Sequence, residues 1–211
     1  MVPAVAAAAL ASVPGFGVLD YHACLAIAPV TGACAAATTI VVLRGQSSWL
    51  PRLLAGACFG PLLVLLVVSL WTPVCDYATG LTFYLLGPLC SGVVGALMAT
   101  AAVRLKVAWA GRLVVLANVV LAIPPLWFFC VHPQAFGFHP LLGWVAGPLY
   151  EDAVAPGWTA VSVRLLDLAA WSALATLRRH RLAKWLALTA LCVAALRAGP
   201  DGWLVSTARV E

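Results

Sequence analysis

The residues best suited to chemistry gather between positions 132 and 157. This stretch contains His132, His139, Glu151 and Asp152 and has no lysine or arginine. Imidazole and carboxylate groups can act as general acids and bases, and they can bind metals such as zinc. The two histidines are seven residues apart, which matches no standard metal-ligand motif. We therefore expect no metal and no other cofactor, and we keep an acid–base site as one interpretation.

The same stretch is rich in aromatic residues and is interrupted by glycine and proline. It is too apolar for a solvated linker and too broken for a spanning helix. We expect an irregular or re-entrant loop that caps the outer surface. Two interpretations stay open: contact with a ligand or partner, as loops on rigid scaffolds often make, or an interfacial plug with an aromatic belt. The candidate contact residues are His132, Phe138, His139, Trp144, Tyr150, Glu151 and Asp152.

A second set of charged groups lies inside an apolar run. Arg164 and Asp167 are three residues apart, so on a helix they share a face and can pair. Ionisable residues at membrane depth are costly and mark either a functional site or a buried pair. Arg164 is also close enough to the outer end of its segment to snorkel outward. We favour a structural ion pair over a transport or proton-relay role, because no second acid is evident in another apolar segment.

The chain has seven cysteines, so at least one is unpaired within a monomer. Cys24, Cys75 and Cys130 are each predicted near the outer end of a helix, where an oxidising compartment permits a disulfide between two of them. The other four are typical of small packing residues. The sequence contains no HExxH, GxSxG, P-loop or dinucleotide fingerprint, which favours a protein that is not an enzyme.

The elements that position these residues are predicted to be membrane helices. Apolar residues make up 64% of the 211-residue chain and charged residues 9%, against roughly 45–50% and 25% in soluble domains. At roughly 20 residues per span, the length fits a polytopic, all-α bundle of about six transmembrane helices. The predicted spans are 21–43, 53–71, 81–103, 113–131, 158–177 and 185 to about 198, or to 203 if the last span extends through Trp203.

The positions of the charges predict the orientation of the bundle. Basic residues concentrate in alternate loops, at 44–52, 104–112 and 178–184, so we expect these loops to be cytoplasmic and both termini to be outside. This explains the net charge of +5 without a nucleic-acid partner. Six of the seven acids then lie on the outer side.

We expect one transmembrane domain over the whole chain, with the bundle at 21–203 and a tail at 204–211. Residues 1–20 are apolar but have no basic region of the kind that begins a signal peptide. We therefore expect them to remain on the protein, either lying in the membrane interface or forming a half-span on the bundle.

Three runs carry a resemblance to known proteins: VPGFGVLDYHACLAIA, VCDYATGLTFYLLGPLCS and FGFHPLLGWVAGPLYEDAV. Together they resemble an uncharacterised class of bacterial multi-pass inner-membrane regions that precede an extracytoplasmic peptidase-like or repeat domain. The resemblance implies a plasma-membrane module whose outer face meets another domain. Only a short tail follows the last predicted span, so we expect that domain on a separate chain and infer no peptidase activity.

Three functions are compatible with these features. The first is a membrane subunit or scaffold that docks another membrane or extracytoplasmic protein on its outer face. The second is a small transporter or channel, suggested by Arg164, Asp167 and Asn118 and by a fourth span broken by proline. The third is a membrane enzyme with a histidine and acid site at the outer leaflet. The absence of catalytic motifs favours the first.

Overall fold

A computed structural model describes residues 2–13, 19–45, 49–72, 76–106, 109–112, 114–116, 118–120, 137–139, 141, 143–145 and 158–176. The helices are α1 (Val2–Ala11), α2 (Tyr21–Gly45), α3 (Leu50–Val68), α4 (Tyr77–Tyr84), α5 (Cys90–Arg104), α6 (Ala110–Val120, of which residues 113 and 117 are not described) and α7 (Trp158–Thr176). A π-helical turn, Leu85–Leu89, joins α4 to α5, so Tyr77–Arg104 is one continuous helix. Two short strands, β1 (Gly137–His139) and β2 (Gly143–Val145), complete the described structure.

Three helices are long and apolar enough to cross a membrane: Tyr21–Gly45, Pro51–Val68 and Tyr77–Arg104. They coincide with the first three predicted spans. The fourth predicted span is described only in part, as α6, and the sixth lies outside the described residues. The fifth forms a helix of 19 residues, α7. The mainly helical fold is therefore confirmed, and the number of six spans stays a prediction.

The outward surfaces of these helices are apolar. Leu63 and Val67 on α3 are 62% and 50% exposed, and Val115 on α6 is 66% exposed. Water-soluble monomers rarely expose large contiguous apolar patches. These faces suit contact with lipid.

The helix α2 packs alongside the Tyr77–Arg104 helix in the parallel direction. Gly80 approaches the Leu19 carbonyl just before α2, and Gly95 approaches the Gly32 carbonyl farther along α2. Small residues at four-residue spacing face this contact, as is common where membrane helices pack closely. They are Ala28, Gly32 and Ala36 on α2, and Ser91, Gly95 and Ala99 on α5.

The last turns of α5 and α7 also lie together. The Arg104 side chain donates from Nη1 to the Ala175 carbonyl at 2.6 Å. Farther back along both helices, Arg164 contacts Leu86. The contact moves from Leu86 to Arg104 on one helix as it moves from Arg164 to Ala175 on the other, so α7 runs parallel to α5. The helices α2, α5 and α7 therefore end at the same end of the bundle.

Strands β1 and β2 form an antiparallel hairpin in which Phe138 lies directly opposite Trp144. The loop from 132 to 157 was expected to be irregular or re-entrant, and six of its residues form this regular pairing. Backbone N–H and C=O groups placed among helices must be bonded, and strand pairing bonds those of the hairpin. Leu141, between the strands, belongs to a core cluster with Ala36, Val94 and Met98, and its side chain lies over Gly32. The tip of the hairpin therefore lies against α2 and α5 inside the bundle.

The helix α1 contacts both α2 and α3. Its Ala7 belongs to a core cluster with Leu65 and Tyr84, and Ala4 lies beside Gly60. The apolar N-terminal segment thus contains a short helix packed on the bundle.

The contact between α2 and α5 makes a direct prediction about Gly95. A Cβ atom there would overlap the Gly32 backbone, whereas one at Gly56 would meet nothing within 4 Å. We expect Gly95→Ala to destabilise the protein by about 1–3 kcal/mol, as overpacking does, and Gly56→Ala not to destabilise it, because alanine has the higher helix propensity. Thermal unfolding of both variants in mild detergent measures this. Equal midpoints for the two variants would show that the helices do not approach so closely.

Candidate functional site around buried Arg164

The Arg164 side chain on α7 is almost completely buried, with 1% of its surface exposed. Its Nε donates to the Leu86 carbonyl at 2.6 Å, and its Nη2 donates to the Ser91 hydroxyl at 3.0 Å. Its Nη1 lies 3.6 Å from Asp167 Oδ2, and that carboxylate is also buried. The guanidinium points into the bundle. The outward, snorkelling position considered from the sequence is not the one observed.

The Leu86 carbonyl is available to Arg164 because it lies in the π-helical turn. In an α-helix this carbonyl would accept the N–H four residues later, at Cys90. Here the Cys90 N–H bonds instead to the carbonyls of Leu85 and Gly87. Pro88 within the turn has no N–H of its own. The Leu86 carbonyl therefore lacks the donor that it would have in an α-helix, and it accepts from Arg164.

Ser91 connects Arg164 to the hairpin. While its hydroxyl oxygen accepts from Arg164, the same hydroxyl donates to the Leu141 carbonyl at 2.6 Å. The Leu141 side chain lies directly over Gly32 of α2, at a position where a Cβ on Gly32 would lie 2.8 Å from Leu141 Cδ2. A continuous chain of hydrogen bonds therefore runs from α7 through α5 to the inserted tip of the hairpin.

His139 holds the hairpin from a second direction. Its Nδ1 accepts from the Leu141 N–H at 3.1 Å, and its Nε2 lies 2.9 Å from the Asn118 carbonyl on α6. Because Nδ1 is an acceptor, the proton resides on Nε2, which donates to Asn118. Burial lowers the pKa of His139, and the positive charge of Arg164 acts in the same direction, while the hydrogen bond to Asn118 opposes them. The ring is therefore neutral.

Three buried side-chain oxygens around this network accept no hydrogen bond from the described residues: Thr31 Oγ1, Asn118 Oδ1 and Asp167 Oδ2. Thr31 packs beside Gly92, next to Ser91. Asn118 uses its amide to donate to the Val114 carbonyl at 2.7 Å. Buried acceptors of this kind are commonly bonded by internal water.

The arrangement is suited to holding chain segments together. The His139 ring has both nitrogens engaged, so it is not presented to a substrate. Among the residues that the structure describes, no group of three or more histidine, cysteine or acidic side chains could hold a metal ion. The Arg164 guanidinium, the Asp167 carboxylate, the Ser91 hydroxyl and the carbonyls of Leu86 and Leu141 form a polar centre within an apolar bundle.

The predicted contact residues of the loop differ in what the structure says of them. His139 was expected at a contact surface, but its side chain is 4% exposed and lies inside the bundle, because both ring nitrogens bond to groups there. Phe138 and Trp144 are backbone neighbours across the hairpin. The other four predicted contact residues, His132, Tyr150, Glu151 and Asp152, lie outside the described residues.

The predicted disulfide involves residues of which only one is described. Cys24 is a buried free thiol in the core cluster with Tyr21 and Tyr84. Cys75 and Cys130 lie outside the described residues, so the disulfide stays a prediction.

Sequence reasoning identified Arg164 and Asp167 but missed Ser91 and the Leu86 carbonyl. The available signal was the Gly87–Pro88 pair within an apolar span, because proline in a helix interior removes a backbone donor. Nothing in the sequence near Ser91 indicates that its hydroxyl joins two distant segments. Comparisons with protein-family models, with curated proteins and with solved structures found no match to this chain.

The buried ion pair makes a prediction that distinguishes charge from packing. Arg164→Met leaves the Asp167 carboxylate without its opposite charge, so we expect the free energy of unfolding to fall by about 3–5 kcal/mol. The double variant Arg164→Met with Asp167→Leu removes both charges and should recover part of that loss. Ser91→Ala, a milder change, should cost about 1–3 kcal/mol by leaving the Leu141 carbonyl without its donor.

The measurement is thermal unfolding in mild detergent, with the exposed Arg52→Gln as the control variant. Ser91→Ala provides the readout if Arg164→Met does not fold. Wild-type midpoints for Ser91→Ala and for Arg164→Met would show that the network does not stabilise the bundle.

Proposed function

We propose that the chain is an integral membrane subunit that docks a partner protein on its outer face through the loop from 132 to 157. The observation that carries this proposal is the attachment of the hairpin. Ser91 and Asn118 hold its tip from two different helices. A segment fixed in this way can present a surface without paying to become ordered on binding.

The proposed orientation follows the basic loops. With 44–52, 104–112 and 178–184 in the cytoplasm and six spans, the loop from 132 to 157 and both termini are outside a bacterial inner membrane. The common end of α2, α5 and α7 supports this arrangement, because each of these helices precedes one of the basic loops. The resemblance to membrane regions that precede extracytoplasmic domains adds support for a partner on the outer side.

Site-specific crosslinking tests the docking proposal. A photo-crosslinking amino acid replaces Trp144 in the hairpin, and a matched control replaces Leu63, which is 62% exposed on the side of α3. In cells of the native host, position 144 should give a discrete protein adduct that mass spectrometry identifies, and position 63 should not. No adduct at position 144, or the same adduct at both, would contradict docking through the hairpin.

A second candidate function is transport of a proton or small ion. It is favoured by Asp167, whose Oδ2 accepts no hydrogen bond from the described residues, and by the interruption of the Tyr77–Arg104 helix at its π turn, since broken helices and buried charges often mark permeation paths.

Proteoliposomes containing a pH-sensitive dye test this second function. If the chain conducts protons, a gradient should dissipate with wild-type protein and at a rate at least about tenfold lower with Asp167→Asn, which keeps the shape but loses the charge. The absence of any difference between wild-type vesicles and protein-free vesicles would exclude proton conduction.

A further inference from the structure

The interhelical segments that follow α2 and α5 share one sequence pattern. The first, RGQSSWLPRL, begins at Arg44, and the second, RLKVAWAGRL, begins at Arg104. Both have arginine, then tryptophan five residues later, then arginine three residues after that, followed by leucine. Neither segment contains an acidic residue.

The structure gives the tryptophan–arginine pairs of the two segments the same local geometry. The Arg52 guanidinium lies over the Trp49 ring at 4.7 Å from its centroid, and the Arg112 guanidinium lies over the Trp109 ring at 5.0 Å. Both indole rings are more than half exposed, Trp49 by 57% and Trp109 by 66%. The pattern is thus a repeated structural unit as well as a repeated sequence.

The two units lie at the same end of the bundle. The parallel packing of α2 and α5 brings their last turns, which contain Arg44 and Arg104, to that end. The start of α6 is beside the end of α2, because a Cβ on Gly111 would lie 4.0 Å from Ile40 Cδ1. The second unit is therefore adjacent to the helix from which the first unit continues.

A guanidinium stacked on an indole ring keeps its N–H edge free for an anion. Stacking fixes the plane of the guanidinium, and its fork of donors matches the oxygens of a phosphate. Neither Arg52 nor Arg112 has a carboxylate partner in the part of the chain that the structure describes. Tryptophan at the end of an apolar helix is typical of the depth at which lipid headgroups lie.

We propose that the two units, Trp49 with Arg52 and Trp109 with Arg112, bind the phosphate groups of anionic phospholipids. The net positive charge of the two segments and the absence of acidic residues within them complement an anionic headgroup. The two tryptophans place the donors at headgroup depth. Anionic lipid therefore becomes a specific ligand of this protein, beyond its role as bulk solvent.

Native mass spectrometry of the full chain released from mixed micelles tests the proposal. The probes are phosphatidylglycerol and phosphatidylcholine at equal concentration. Wild-type protein should retain phosphatidylglycerol preferentially. The double variant Arg52→Lys with Arg112→Lys keeps the charge but loses the planar fork, and we expect its phosphatidylglycerol affinity to fall about tenfold or more, equivalent to at least 1.4 kcal/mol. Replacing both tryptophans by leucine should have a similar effect.

Lys106→Gln is the matched control, because it removes a charge from the second segment without removing a stacked guanidinium. We expect its affinity for phosphatidylglycerol to stay within about twofold of wild type, given the small effect of a single exposed charge. Unchanged unfolding midpoints in zwitterionic detergent verify that the variants fold.

Three results would overturn the proposal. The first is a double lysine variant with wild-type lipid preference. The second is a Lys106→Gln variant as impaired as the double variant, which would indicate general attraction to charge. The third is displacement of the lipid by millimolar inorganic phosphate, which would identify free phosphate as the ligand.

Discussion

The structure depends on how one buried arginine satisfies its hydrogen-bond donors. Burying a guanidinium in an apolar bundle without hydrogen-bond partners costs far more free energy than the surrounding packing contacts provide. Arg164 avoids this cost by bonding to a carbonyl released in a π turn, to the Ser91 hydroxyl and to the adjacent carboxylate. Each partner belongs to a different structural feature. The π turn, the position of α7 and the insertion of the hairpin are therefore linked through one side chain.

Close packing of α2 and α5 allows this polar centre to form at its position in the bundle. Gly32 and Gly95 let the two backbones approach, and the space over Gly32 receives the Leu141 side chain. A larger residue at Gly32 would push the hairpin tip away from Ser91. The apolar contact and the polar network therefore position the same segment, the first by shape and the second by direction of hydrogen bonds.

Much of the helical frame could be predicted from the sequence, because long apolar runs flanked by arginine have few other solutions. The pairing of Arg164 with Asp167 follows from spacing along one helix. The role of His139 could not be predicted in this way. A histidine in a stretch rich in glycine and proline is equally compatible with a surface contact. The buried position of the His139 ring depends on its contact with the Asn118 carbonyl, which the sequence does not reveal. Contacts between residues far apart in the chain, such as Ser91 with Leu141, have no signal in local spacing.

The hydrogen bonds of the hairpin help to decide whether it stays in one position or moves as a gate. Withdrawing it would leave the Ser91 hydroxyl, the carbonyls of Leu141 and Asn118, and His139 Nε2 without their present partners, at a cost of about 1–3 kcal/mol for each buried group left unbonded. Leu141 would also leave its apolar site between α2 and α5. Thermal fluctuations rarely supply this sum, since each 1.4 kcal/mol lowers a population about tenfold. A hairpin that moves as a gate would need a ligand that replaces these bonds, whereas a fixed hairpin needs no ligand. The free energies therefore favour a hairpin held in one position.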